Sequence, residues 1–157
     1  MINVLISDPF AEQVPADLLE RAAQAALLQQ ANAGDGLTDG DLSVVIEDDA
    51  RLQALNQEYL GIDSPTDVLS FPSGEDEVDP ETGRAYLGDV IISYPRADEQ
   101  SAAAGHAVLD ELQLLVVHGV LHLLGHDHAE PEEKERMWSA QSEILRGLNV
   151  QLNRLPE

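Results

Sequence analysis

Residues 109–128 read LDELQLLVVHGVLHLLGHDH. Apolar residues crowd the segment from Leu109 to Leu124, which predicts a strongly apolar helix. Gly125 predicts its end, because glycine readily takes the left-handed backbone that turns a chain back. Two histidines interrupt the apolar run. His118 and His122 stand four apart, so their rings leave one face of the helix about one turn apart, a distance one ion can bridge. Beyond the glycine exit, His128 can approach the same ion from the other side. A lone histidine in an apolar helix is usually a core residue satisfied by one hydrogen bond. Two together are costlier, since burying unpaired imidazoles costs on the order of 1–3 kcal/mol each, and a shared ion removes that cost. Three neutral imidazoles with an open fourth position describe a catalytic zinc site rather than a structural one. One zinc per chain is therefore expected on His118, His122 and His128, with a bound water activated as nucleophile. Nickel or another divalent ion would suit the same ligands.

The neighbouring polar residues are less decisive. His126 could serve as an alternative ligand, although position 128 fits three-histidine geometry better. Asp127 could accept a hydrogen bond from a ligand imidazole, or could simply belong to a polar turn. His106 follows Gly105 near a helix start and is expected at the surface or in a cap.

Working outward, the rest of the chain supplies elements to pack around this helix. Ile2 to Ile6 reads as a strand closed by Asp8-Pro9, and Pro15 to Ala33 as a helix with proline in its first turn and Gly34 past its end. Gly34 to Gly40 is turn-rich, and Leu42 to Glu47 is a second strand. Asp48 or Asp49 can cap the next helix, which carries Leu52, Leu55 and Tyr59 on one face and stops at Gly61. Asp67 to Phe71 is a third strand ended by Pro72, and Leu87 to Ser93 a fourth. Between them, Ser73 to Arg84 holds Glu75, Asp76, Glu77, Asp79 and Glu81, and reads as a solvated loop. Ser93 can cap a short helix over Arg96 to Ala104. Pro131 to Leu148 is the last helix, with Met137, Ala140, Ile144 and Leu148 as its buried stripe. The order predicts an α+β domain: a small mixed β-sheet of about four strands packed with about five helices, one of them a zincin-like metal helix.

Composition narrows the function classes. At 157 residues the chain reads as one domain, residues 1–157, large enough for one core. Cysteine is absent, which rules out disulfides and thiolate ligands and favours a reducing, cytoplasmic setting. The N-terminus has no basic region and only a very short apolar run, so it does not read as a signal peptide, and the apolar run from Leu112 to Leu124 is too short to span a bilayer. Thirty acidic residues stand against eight basic ones, a net charge of −22. Such a surface repels free nucleic acid and anionic membranes and attracts basic partners.

H-x-x-x-H-x-x-G-x-x-H is also the spacing of the metzincin proteases, with one change. The position after the first histidine holds Gly119 where those proteases carry their glutamate base. Losing a general base typically costs a factor of about 10² to 10⁴, which disfavours ordinary proteolysis. Met137 lies inside a helical run, so core packing explains it better than a Met-turn.

HGVLHLLGHDH, taken with three further blocks, resembles the YbeY family of metal-dependent endoribonucleases. Those blocks are Leu55-Asn56-Gln57-Glu58-Tyr59 running on to Gly61 through Pro72, then Leu87 to Ser93, then Gly105-His106. Together they cover most of the chain from Leu55 to about Leu148, while the first fifty residues match in general layout only. The resemblance implies zinc on His118, His122 and His128, with the Thr66 to Pro72 strand beside the metal cleft. It implies a compact α+β fold and a single-strand-specific endoribonuclease acting in ribosomal RNA maturation and ribosome quality control. Its partners would be ribosomal RNA and the small ribosomal subunit or its basic proteins, with weak binding to free nucleic acid. One position departs. Leu60 stands where the family usually has arginine, so the cation that would stabilise transition-state charge must come from elsewhere, with Arg96 and Arg84 as candidates. Two alternatives stay open on the residues alone: a metallohydrolase of peptides or small amides, and a non-enzymatic ribosome assembly factor whose metal is structural.

Overall fold

A computed structural model of the chain describes residues 2–33, 40–64, 66–73, 80, 81, 83, 85–150 and 152. The turn-rich segment 34–39 and most of the acidic stretch 73–84, Arg84 included, lie outside the described residues. The elements run β1 (Ile2–Ile6), a 3-10 turn (Asp8–Phe10), α1 (Ala16–Ala33), β2 (Gly40–Glu47), α2 (Asp49–Leu60), β3 (Val68–Pro72), β4 (Ala85–Ser93), α3 (Tyr94–Ala104), α4 (Val108–Leu123) and α5 (Pro131–Gly147). Four strands form one sheet in the order β1-β2-β4-β3. β1, β2 and β4 are parallel, and β3 joins antiparallel to β4 at the edge, so the fold is α+β with a mixed sheet as expected.

Strand alternation decides which face carries the main core. Leu42, Val44 and Ile46 on β2, with Val90 and Ile92 on β4, are fully buried in one cluster with residues of α1, α4 and α5. Full burial of each such side chain contributes about 1.5–3 kcal/mol relative to exposure. Leu69 and Phe71 on β3 and Ile91 on β4 face the other way and meet Leu52 and Leu55 of α2 in a smaller cluster. The register follows from this: Leu69 pairs with Ile91 on one face, and Ser70 with Val90 on the other.

Helix boundaries follow local chemistry. Asp48, of the two candidates, caps α2: its side chain accepts from the Arg51 amide at 2.8 Å. Asp49 is used differently. It accepts from Ser93 Oγ at 3.1 Å and from Arg96 Nη2 at 3.0 Å, while Ser93 caps α3 by accepting from the Arg96 amide. Two expectations need correction here. Tyr59 does not share the buried face with Leu52 and Leu55. It is 62% exposed and packs edge-on against Phe71, because β3 is the last strand and no described element covers the ring beyond it. Pro72 belongs to β3 rather than ending it, which an edge strand tolerates since its missing N–H leaves no partner strand short of a bond. No single described helix is long and apolar enough to cross a membrane.

Candidate metal centre

α4 is buried along most of its length, with Leu112, Val116, Val117, Val120 and Leu121 fully enclosed. Such burial fixes its rotation, and the rotation aims the remaining face, His118 and His122, at a groove. Gly119, one residue on, faces the sheet. A Cβ there would lie 2.5 Å from Val90 Cγ1 and 3.2 Å from Ser70 Oγ. Ser70 Oγ in turn donates to the Gly119 carbonyl at 3.2 Å and pins the helix to β3. The absence of glutamate at this position thus has a packing cause: position 119 points away from the groove into backbone-to-sheet contact, where no carboxylate fits.

The helix exit follows the sequence closely. Gly125 has φ +100°, its amide donates to the His122 carbonyl at 3.1 Å, and the His126 amide donates to the Leu121 carbonyl at 3.0 Å. This pair of bonds is the Schellman stop, which reverses the chain and satisfies the last carbonyls. It brings His128 back toward the face it left. One ring nitrogen from each of His118, His122 and His128 then lies within 4.8 Å of the others. His118 Nε2 and His122 Nε2 are 3.2 Å apart. Two imidazole nitrogens on one tetrahedral zinc stand about 3.3 Å apart, given Zn–N bonds of about 2.0–2.1 Å. The donor set therefore fits a divalent ion in kind and spacing, and a cluster at His118, His122 and His128 could hold one.

Protonation favours the same use. Burial pushes His118 below the ordinary histidine value of 6.5, helped by the charge of His128 and opposed by its bond to Gln141. His122 is lowered to about 4, first by burial and then by the charges of His118 and His128. Both rings are neutral at pH 7, with lone pairs free for coordination.

The surrounding residues differ from expectation in three places. His126 is not a fourth member of the cluster: its Nε2 donates to Gln30 Oε1 of α1 at 2.6 Å. Asp127 does not touch a ligand ring among its described bonds. Its carboxylate accepts from the His128 amide at 2.7 Å and shapes the turn. His106 is not a surface residue. Its side chain is 4% exposed and its Nε2 lies 2.6 Å from Glu111 Oε1 in the first turn of α4, a buried pair that ties the α3–α4 corner to the helix start.

Sequence reasoning did not find Gln141 and Trp138, both on α5. Gln141 is fully buried, and its Oε1 lies 3.0 Å from His118 Nδ1. Its Nε2 is buried without a hydrogen-bond partner among the described residues. The signal was present: Gln141 lies four residues after Met137 and three before Ile144, so a polar side chain occupies a core-facing position. Trp138 stands edge-on to His118 and His128, with ring centroids 5.9 and 5.6 Å away, and walls the cluster on the α5 side.

The cluster lies in a groove of about 520 Å³ between Asp67 with β3 on one side and the turn from Gly125 to His128 on the other. Leu60 lines it from the end of α2. Arg96, weighed as a replacement cation, is not part of its lining and is bonded to Asp49.

Comparison with known proteins agrees in both sequence and fold. The family model described as Endoribonuclease YbeY matches residues 7–149. An Endoribonuclease YbeY from Roseiflexus sp. (strain RS-1) is 41% identical over 153 residues, covering 95% of this chain and 93% of its own. Another, from Geobacillus kaustophilus, is 46% identical over 125 residues, covering 76% of this chain and 80% of its own. A solution structure from Thermotoga maritima is similar with a TM-score of 0.61 at 25% identity, covering 94% of this chain and 89% of that one. The matched residues 7–149 include three of the four strands, α4 with its two histidines, and α5, and on that ground the chain belongs to the Endoribonuclease YbeY family.

Proposed function

We propose that this chain is a metal-dependent endoribonuclease that cleaves single-stranded RNA in ribosomal RNA maturation and ribosome quality control in the cytoplasm. His118, His122 and His128 would hold one zinc ion. The observation that carries the reading is the convergence of three ring nitrogens within 4.8 Å at the head of an open groove. When bound, the ion supplies Lewis acidity toward a phosphoryl oxygen and lowers the pKa of water toward neutrality. The chain's own residues do the rest. Burial keeps His118 and His122 uncharged, Trp138 shields two of the rings from water, and β3 offers an extended wall along which a strand can lie. Cleavage by the neighbouring 2′-hydroxyl would leave a 2′,3′-cyclic phosphate, whereas attack by water would not, so end-group analysis separates the two routes.

Leu60 leaves the groove without the arginine common in the family. Lys134 is a candidate for the missing cation: its Nζ lies 5.5 Å from the centre of the Trp138 ring, and that ring adjoins His118 and His128. The net charge of −22 supports a partner of opposite sign, and we propose that the chain meets its RNA on the small ribosomal subunit by docking on basic ribosomal proteins.

The test is cleavage of single-stranded RNA by the wild type and by His122→Ala, with and without chelator, beside the melting temperature of each. Cleavage lost in the variant with its fold intact supports catalysis. Wild-type cleavage that is indifferent to chelator sinks the metal reading. A variant that no longer folds points to a structural ion instead.

A further inference from the structure

We infer that Gln141 is a positioning residue: its side-chain oxygen fixes His118 in the Nδ1–H tautomer and so leaves the Nε2 lone pair facing the metal position. The inference rests on the metal reading above.

A neutral imidazole carries one ring proton, on one nitrogen or the other, and only the bare nitrogen can bind a metal. His118 Nε2 is the atom that faces His122 Nε2 at 3.2 Å, inside the cluster. His118 Nδ1 faces outward to Gln141 Oε1 at 3.0 Å. An amide oxygen accepts and cannot donate, so this contact requires the proton on Nδ1 and clears Nε2. The reversed amide would do the opposite. Its NH₂ group would donate to Nδ1, send the ring proton to Nε2 and close that nitrogen to an ion.

This amide orientation has a cost that packing alone does not explain. Gln141 is fully buried, and with its oxygen on His118 its Nε2 is left without a partner among the described residues. A buried donor left unpaired destabilises the fold, and such groups cluster where function demands them. Leucine would fill the same stripe between Met137 and Ile144 with no orphaned amide. A glutamine there is explained by what its oxygen does for His118. Residues that orient a ligand histidine through its second nitrogen commonly change metal affinity about 10- to 100-fold when replaced.

The experiment compares wild type, Gln141→Leu and Gln141→Glu on the full chain, using Zn²⁺ as the probe. In the metal-free protein near pH 7.5, ¹⁵N NMR of the His118 ring reports the tautomer directly. Wild type and Gln141→Glu should show Nδ1–H, and Gln141→Leu should shift toward Nε2–H. Chelator competition should then show Zn²⁺ affinity roughly 10- to 100-fold weaker for Gln141→Leu and kept in Gln141→Glu. A purely structural Gln141 would move the melting temperature and leave both readouts alone. Gln141→Met repeats the test should the leucine variant not fold. Wild type in the Nε2–H form, or Gln141→Leu keeping both the wild-type tautomer and the wild-type affinity, overturns the inference. Wild type that shows Nδ1–H and loses it in Gln141→Leu, yet binds no Zn²⁺, overturns the metal reading and leaves the tautomer control by Gln141 standing.

Discussion

His122 takes up a proton in the folded chain only near pH 4, whereas a histidine in an unfolded chain does so near 6.5. Between those values the unfolded chain binds more protons, so acidification favours unfolding across that window. Above about 6.5 the group is neutral in both states and contributes nothing to pH dependence. With chelator present, the melting temperature of wild type should therefore fall further between pH 7 and pH 5 than that of His122→Gln. Equal slopes would mean that His122 is not shielded as the fold implies. At Gly119 the residue scale is steric. An alanine Cβ would sit 2.5 Å from Val90 Cγ1, so α4 must lift from the sheet or Val90 must turn. Gly119→Ala should cost about 1–3 kcal/mol, and Val90→Ala in the same chain should recover part of it. Melting curves of the two single variants and the double variant measure this, and additive losses would contradict the contact.

Elements decide which residues were legible beforehand. The helix over α4 and its stop at Gly125 could be read because periodicity and a glycine carry local signals, and the three histidines lie within eleven consecutive positions around them. The Ser93 cap of α3 and the αβ order were legible for the same reason. Tyr59 and His106 were misjudged because their burial depends on what lies across from them. Tyr59 sits over an edge strand, and His106 turns inward to Glu111, five residues later on another element. Trp138 and Gln141 reach His118 from α5, 20 and 23 residues further along the chain, and no local pattern reports that docking. α5 also carries Lys134, which the Trp138 ring holds near the cluster. If this lysine supplies the charge that Leu60 cannot, Lys134→Ala should raise KM for RNA several-fold and leave Zn²⁺ affinity unchanged. Identical cleavage kinetics would remove the lysine from the reaction.

At the scale of the whole molecule, 30 acidic residues against 8 basic ones set the sign of every long-range encounter. The groove does not reverse it, since Asp67 and Asp127 line its walls. A protein that binds nucleic acid through several cations loses affinity steeply as salt rises, because it no longer gains by releasing counterions. A chain of net charge −22 approaching a polyanion meets the opposite problem, and salt relieves it: the Debye length shortens from about 30 Å at 0.01 M to about 8 Å at 0.15 M, which screens the repulsion. The proposed docking on basic ribosomal proteins would have the usual sign, because screening weakens attraction. The two encounters should therefore respond to salt in opposite directions. Between about 20 and 200 mM salt, KM for a free single-stranded RNA should hold steady or fall, while co-sedimentation with small ribosomal subunits should weaken. Free-RNA affinity that collapses with salt would reveal a cationic path to the groove. Subunit association that strengthens with salt would mean an apolar contact, not the acidic surface, brings the chain to the ribosome.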